Sequence, residues 1–209
     1  MIKVVVFDFD GTLANTRRLV LEIIKRHFEN FNYELSKKDA NTLGDSPLEE
    51  FIESCGVQKD LVNLLTKLIN RDFIKEHKEI TGCKNLKKIK KLKQRKIVVS
   101  NNTKEFINES LKFLRIDFFD EVYGANNFKD KEHCLRKILR KYKLKPEEMV
   151  YVGDRPIDVK VGRKVGCFSV VISNMCSWSN RENLLKEDPD IIVGDLGDLK
   201  KVVKKLNSL

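Results

Sequence analysis

The sequence predicts an α/β protein: a doubly wound parallel sheet with a small α-helical cap inserted after the first strand. Three observations carry this expectation. Short runs rich in Val and Ile recur along the chain, as strands buried on both faces require. Amphipathic helical patterns separate the later runs. The stretch between the first two runs breaks that alternation with several helical patterns in succession.

Strands are expected at 2–7, 97–99, 121–123, 149–152, 168–172 and 191–193. Helices are expected at 104–114, 131–142, 156–165, 181–186 and 196–206, with a further core helix at 85–94. Pro156 suits a first helical position and Gly166 a helix stop. Within the proposed cap, residues 15–80, Leu19, Val20, Ile23, Ile24, His27, Phe28 and Phe31 share one helical face. His27 there reads as a packed core residue rather than a ligand. Ser46-Pro47-Leu48-Glu49 reads as a capping box, and Gly56 closes the short helix that follows it. Leu61, Leu64, Leu65, Leu68 and Ile69 form a second apolar stripe. The α/β core then comprises residues 1–14 and 81–209.

Composition narrows the setting. The 209 residues, 41% hydrophobic and 34% charged, suffice for one domain or a core with an insert. No segment is long enough to cross a membrane. The first apolar run is broken by Asp8 and lacks the pattern of a secretory signal. The five cysteines are scattered without a Cys-x-x-Cys pair, so they read as reduced, mostly buried thiols of a cytoplasmic protein. The three histidines are equally dispersed, which argues against a histidine metal site.

The net charge of +10 is spread along the chain, with lysine runs at 84–96 and 200–205. Both runs interleave with apolar residues at helical spacing: Leu86, Ile89 and Leu92, then Leu199, Val202, Val203 and Leu206. They read as helices with solvated lysine faces. No aromatic residues interleave to stack on bases, which argues against a nucleic-acid partner. A positive field also draws in small anionic substrates.

The chemistry sits at the strand ends. The first strand runs into Asp8-Phe9-Asp10-Gly11-Thr12-Leu13, where two carboxylates follow an apolar run and Gly11 lets the chain turn away. A second pair stands in Gly153-Asp154-Arg155-Pro156-Ile157-Asp158, with Asp154 at a strand end and Asp158 one turn into a helix. Open α/β sheets bind ligands at this carboxyl edge. Carboxylates gathered there repel one another and imply a cation, and an all-oxygen set points to Mg²⁺. Ser100-Asn101-Asn102 brings a hydroxyl and amides to the same edge, and Lys131 opens a later helix.

These segments resemble, in order, the four motifs of the haloacid dehalogenase superfamily, most closely its phosphoglycolate-phosphatase-like branch. The likeness spans nearly the whole chain and extends to the stretch 162–166 and to the tail around Trp178, Asn180 and Arg181. It implies an HAD-like fold and a Mg²⁺-dependent phosphatase acting on a small phosphorylated metabolite through an aspartyl-phosphate. Asp8 would be the nucleophile and Asp10 the general acid and base. Ser100, Asn101 and Lys131 would bind the phosphoryl group. The Asp8 carboxylate, the Asp10 carbonyl and Asp154 would hold the metal. Thr12 would steady the turn, and Asp158 would act through water or orient the ligands.

No proline follows Lys131, which departs from the branch and keeps Lys129 open as an alternative. The loop Gly44-Asp45-Ser46-Pro47 resembles the substrate-specificity loop of the branch. A phosphomutase is the alternative activity on the same core, and a non-catalytic basic binding module is the alternative from another class. Dehalogenation would not need Asp10 as acid and base.

Overall fold

The computed structural model describes residues 1–208. The sheet is organised around Val4–Phe7 (β1), whose four residues are all buried. Val5 and Phe7 pack into one hydrophobic layer, and Val4 and Val6 into the layer on the opposite face. Two-sided burial is what makes this strand continuously apolar rather than alternating. Each such side chain contributes roughly 1.5–3 kcal/mol on burial.

β1 pairs in parallel with Arg95–Val99 (β4) on one side and Met149–Gly153 (β6) on the other. Glu121–Tyr123 (β5), Phe168–Ile172 (β7) and Ile191–Val193 (β8) complete a six-stranded parallel sheet of order β5-β4-β1-β6-β7-β8. The chain winds outward from β1 in both directions. The carboxyl ends of β1, β4 and β6 therefore meet at the point where strand order reverses, which opens a crevice.

The helices flanking the sheet are Lys104–Phe113 (α5), Lys131–Tyr142 (α6), Pro156–Val165 (α7), Arg181–Leu185 (α8) and Leu199–Leu206 (α9). Thr103 caps α5 through the Phe106 amide and Asp130 caps α6 through the His133 amide. Pro156 occupies the first position of α7 and Gly166 closes it, as expected.

After β1 the chain forms a short ribbon, Ala14–Asn15 (β2) against Thr81–Gly82 (β3). Between these strands lie Arg17–Asn30 (α1), Lys37–Thr42 (α2), Leu48–Ser54 (α3) and Lys59–Lys75 (α4). Leu19, Val20, Ile23, Ile24, His27 and Phe28 form the buried face of α1. His27 is packed as expected, and its Nε2 lies 2.9 Å from Asp72 Oδ2 on α4. Arg26 and Arg71 also reach Asp72, so a buried carboxylate ties α1 to α4.

Four local expectations are corrected. The stripe on α4 is Val62, Leu65, Ile69 and Phe73, whereas Leu64 is 45% exposed. The segment at 85–94 forms a 3₁₀ helix over Leu86–Lys91 rather than an α-helix. Its buried residues, Leu86, Ile89 and Leu92, recur strictly every third position, the period of a 3₁₀ turn. The segment at 196–206 likewise begins with a 3₁₀ turn, Leu196–Asp198, before α9. Ser46 does not cap α3: Pro47 stands extended at the cap position, and the Ser46 hydroxyl turns to the Pro47 carbonyl at 3.5 Å. Glu49 and Glu50 in the first turn supply negative charge to the helix start instead.

Candidate active site

The site forms where β1, β4 and β6 end. Asp8 follows β1 directly, and its amide donates to the Val152 carbonyl at 2.8 Å, so the strand ladder fixes its backbone. Its Oδ1 accepts from the Phe9 amide at 2.8 Å, and its Oδ2 lies 2.8 Å from Lys131 Nζ. The same ammonium donates to Asp158 Oδ1 at 2.9 Å. Lys131 is buried, as are both carboxylates it bridges. Lys129 is exposed, so Lys131 is the lysine at this site.

Asp158 is held from four directions. Besides Lys131 it accepts from the Tyr151 hydroxyl at 2.8 Å and from the amides of Asp154 and Arg155 at 3.2 and 3.1 Å. Asp154 accepts one bond on each oxygen, from the Thr12 hydroxyl at 3.0 Å and the Trp178 amide at 2.6 Å. Gly11 makes this approach possible. Its φ is +72°, and a Cβ there would lie 2.3 Å from Asp154 Oδ2.

The second carboxylate of the first motif faces elsewhere. Asp10 accepts from the Thr16 hydroxyl at 2.7 Å, the Ser100 hydroxyl at 3.1 Å and the Asn102 side-chain Nδ2 at 2.7 Å. Asn101 instead donates to the Gly44 carbonyl at 3.0 Å, a bridge from the β4 end to the loop before α3. Asp8 and Asp10 therefore stand in two separate contact sets, one cationic and one built from neutral donors.

Electrostatics separate the carboxylates further. Burial pushes Asp8 up to about 7, offset only in part by Lys131 and reinforced by the charges of Asp158 and Asp10. Burial and the charges of Asp158 and Asp8 hold Asp154 well above the carboxylate range. Burial opposes ionisation of Asp158 too, but Lys131 outweighs it and keeps this carboxyl low. For Lys131, desolvation works against the charge, yet Asp158 and Asp8 hold the ammonium above its ordinary range.

The site thus holds three buried carboxylates and one buried ammonium, which contacts Asp8 and Asp158. Asp8, Asp154 and Asp158 each offer an oxygen, and these atoms lie within 4.8 Å of one another. The residual negative charge and the hard oxygen donors fit a divalent cation of the Mg²⁺ type.

Arg155 and Trp178 complete the site, and neither stood out from the sequence as a site residue. The Arg155 guanidinium is buried, donates to the carbonyls of Leu43 and of Asn41, the latter at 2.6 Å, and pairs with Asp45 at 3.1 Å. It also lies over the Trp178 ring at 5.7 Å. Arg155 thereby clasps the loop between α2 and α3 to the β6 end. The signal was a charged residue set directly between Asp154 and Pro156, and the one tryptophan of the chain. Thr16 and Tyr151 were also missed, because a helix-start threonine and a strand tyrosine carry no distinctive pattern.

Among the described residues, no helix is long and apolar enough to cross a membrane. The Pyrophosphatase PpaX of Bacillus mycoides is 27% identical to this chain, covering 99% of each. The Phosphoglycolate phosphatase of Synechococcus elongatus is 23% identical, covering 98% of each. A hydrolase from Pseudomonas syringae shares the fold with a TM-score of 0.83 at 13% identity, covering 97% of this chain and 98% of its own. The sequence pattern of the haloacid dehalogenase-like hydrolases matches residues 5–172. The chain belongs to the haloacid dehalogenase-like hydrolase family.

Proposed function

We propose that this hydrolase is a Mg²⁺-dependent phosphatase that cleaves small phosphate monoesters through an aspartyl-phosphate on Asp8. One observation carries the reading: the Lys131 ammonium bridges Asp8 and Asp158 with Asp154 beside them. Phosphatase names among full-length relatives support it.

Asp8 attacks phosphorus in line, so an Asp8 oxygen–phosphorus bond forms as the ester oxygen–phosphorus bond breaks. Asp10 gives its proton to the departing alcohol. It then takes a proton from the water that attacks phosphorus, releases inorganic phosphate and regenerates Asp8. Thr16 and Asn102 keep the Asp10 carboxyl aimed during both transfers, while the Ser100 hydroxyl turns from Asp10 to the phosphoryl group. Lys131 and the Ser100 hydroxyl hold the phosphoryl oxygens, with Asn101 at the rim. The Asp8 carboxylate, the Asp10 carbonyl and Asp154 would hold Mg²⁺, which when bound offsets phosphoryl charge and aligns the group. Asp158, already occupied by four donors, orients rather than coordinates, and Thr12 steadies Asp154. Residues 15–80 act as a cap that excludes bulk water and folded macromolecules.

A screen of phosphorylated metabolites with Mg²⁺, run beside Asp8→Asn, tests this. Phosphate release should need the metal and vanish in the variant. An unchanged rate in Asp8→Asn would sink the mechanism.

A further inference from the structure

A cavity of about 40 Å³ opens beside Asp8 and Asp10, where the alcohol portion of a substrate would sit. Its far wall is apolar: Val20 and Ile24 of α1, Leu43, Leu48 of α3, and Phe73 of α4. Among the described residues the only cation lining it is Arg155. That guanidinium is already committed to the Leu43 and Asn41 carbonyls and to Asp45. The lysines that give the chain its charge of +10 stand outside this space, and Lys131 faces Asp8 and Asp158. A second anionic group on the substrate would therefore be desolvated against hydrocarbon, next to two carboxylates, with no free positive charge to meet it.

Two donors do remain. Arg155 Nε and Trp178 Nε1 are buried without a hydrogen-bond partner, and both residues line the cavity. Because Asp45 already offsets the Arg155 charge, these donors suit a neutral oxygen acceptor on the ligand. Walls from α1, α3 and α4 around this space also favour a compact leaving group.

Resting on the phosphatase reading above, we infer that the leaving group is a compact, uncharged, largely apolar alcohol bearing at most one or two neutral acceptor oxygens. Substrates whose leaving group is itself anionic, a carboxylate or a second phosphate, are selected against by the wall around Leu48 and Ile24. This separates the chain by chemistry from activities on carboxylate-bearing esters or phosphoanhydrides.

The test compares kcat/KM for n-butyl phosphate and 2-methoxyethyl phosphate with phosphoglycolate and inorganic pyrophosphate, all with Mg²⁺, with p-nitrophenyl phosphate as a reactive reference. The neutral esters should exceed the anionic pair by at least about tenfold, equivalent to about 1.4 kcal/mol. Leu48→Lys, at a half-buried position, should narrow or invert that ratio by placing a cation in the wall. Ser46→Lys, on the same rim, serves if Leu48→Lys does not fold. Equal or faster turnover of phosphoglycolate or pyrophosphate by the wild type overturns the inference while leaving the phosphatase reading intact. An unaltered ratio in a folded lysine variant overturns it too. Absence of turnover on every ester, the nitrophenyl one included, overturns the phosphatase reading and this inference with it.

Discussion

The Lys131 ammonium lies 2.8 Å from Asp8 and 2.9 Å from Asp158, so one buried charge serves two carboxylates, one at the end of β1 and one in the first turn of α7. Removing it leaves both uncompensated. Lys131→Met should lower phosphate release by about a hundredfold or more. It should also cost about 3–5 kcal/mol of stability in metal-free protein, because a buried ion pair is broken on one side. Lys129→Met, at an exposed position, should match the wild type. Steady-state kinetics and urea unfolding with EDTA check both.

The pH dependence follows from Asp8, whose carboxyl burial pushes up to about 7. An unfolded chain releases that proton near pH ~4. Between those values the folded, metal-free protein binds a proton that the unfolded chain does not. Its stability from this group should therefore fall as pH rises from about 4 to about 7. Asp154 acts in the same direction. Mg²⁺ favours the ionised carboxyls, so its stabilisation should grow across the same window. Thermal unfolding at several pH values, with EDTA or Mg²⁺, should show both trends, and Asp8→Asn should flatten them.

Gly11 leaves no room for a side chain beside Asp154. Gly11→Ala places a Cβ 2.3 Å from Asp154 Oδ2 in a backbone with φ +72°. The strained backbone costs roughly 1–2 kcal/mol. Displacement of Asp154 should weaken Mg²⁺ binding by about 10–100-fold, as disturbance of a ligand's setting does elsewhere. Titration of activity against magnesium concentration measures it, and saturating metal should restore part of the rate.

Arg155 joins the β6 end to the loop before α3, and Trp178, the one tryptophan of the chain, reports on that junction. Arg155→Met should orphan the Leu43 and Asn41 carbonyls, costing about 1–3 kcal/mol each where they stay buried. Trp178 emission should shift to the red and quench more readily with acrylamide. KM should rise more than kcat falls, because closure rather than chemistry is impaired. Arg155→Lys should lie between, since a point charge cannot reproduce the planar fork. Unchanged emission in Arg155→Met would contradict this reading of the junction.

Much of this molecule was legible in its sequence, and the limits are physical. The central strands follow from Val and Ile runs that two-sided burial explains, and their parallel pairing follows from the helices between them. Asp8 and Asp154 could be assigned to strand ends because an apolar run stops abruptly at a carboxylate. Local packing was less legible. Leu64 is exposed because α4 turns Val62, Leu65 and Ile69 inward, and a dense run of leucines fits more than one helical face. The 3₁₀ segment at Leu86–Lys91 follows a period of three, which a short window cannot separate from 3.6.

The sequence by itself determined the layering, the strand that ends at Asp8 and the residue types at the carboxyl edge, because these depend on periodicity and on the cost of burying charge. Only the tertiary structure decided which groups share space. It chose Lys131 over Lys129, split Asp10 from the Asp8, Asp154 and Asp158 cluster, and set Arg155 as a clasp against Asn41 and Leu43, more than a hundred positions away in sequence. Such choices rest on contacts between strand ends and helices remote along the chain, and no local pattern encodes a distance of 2.8 Å between Lys131 and Asp8.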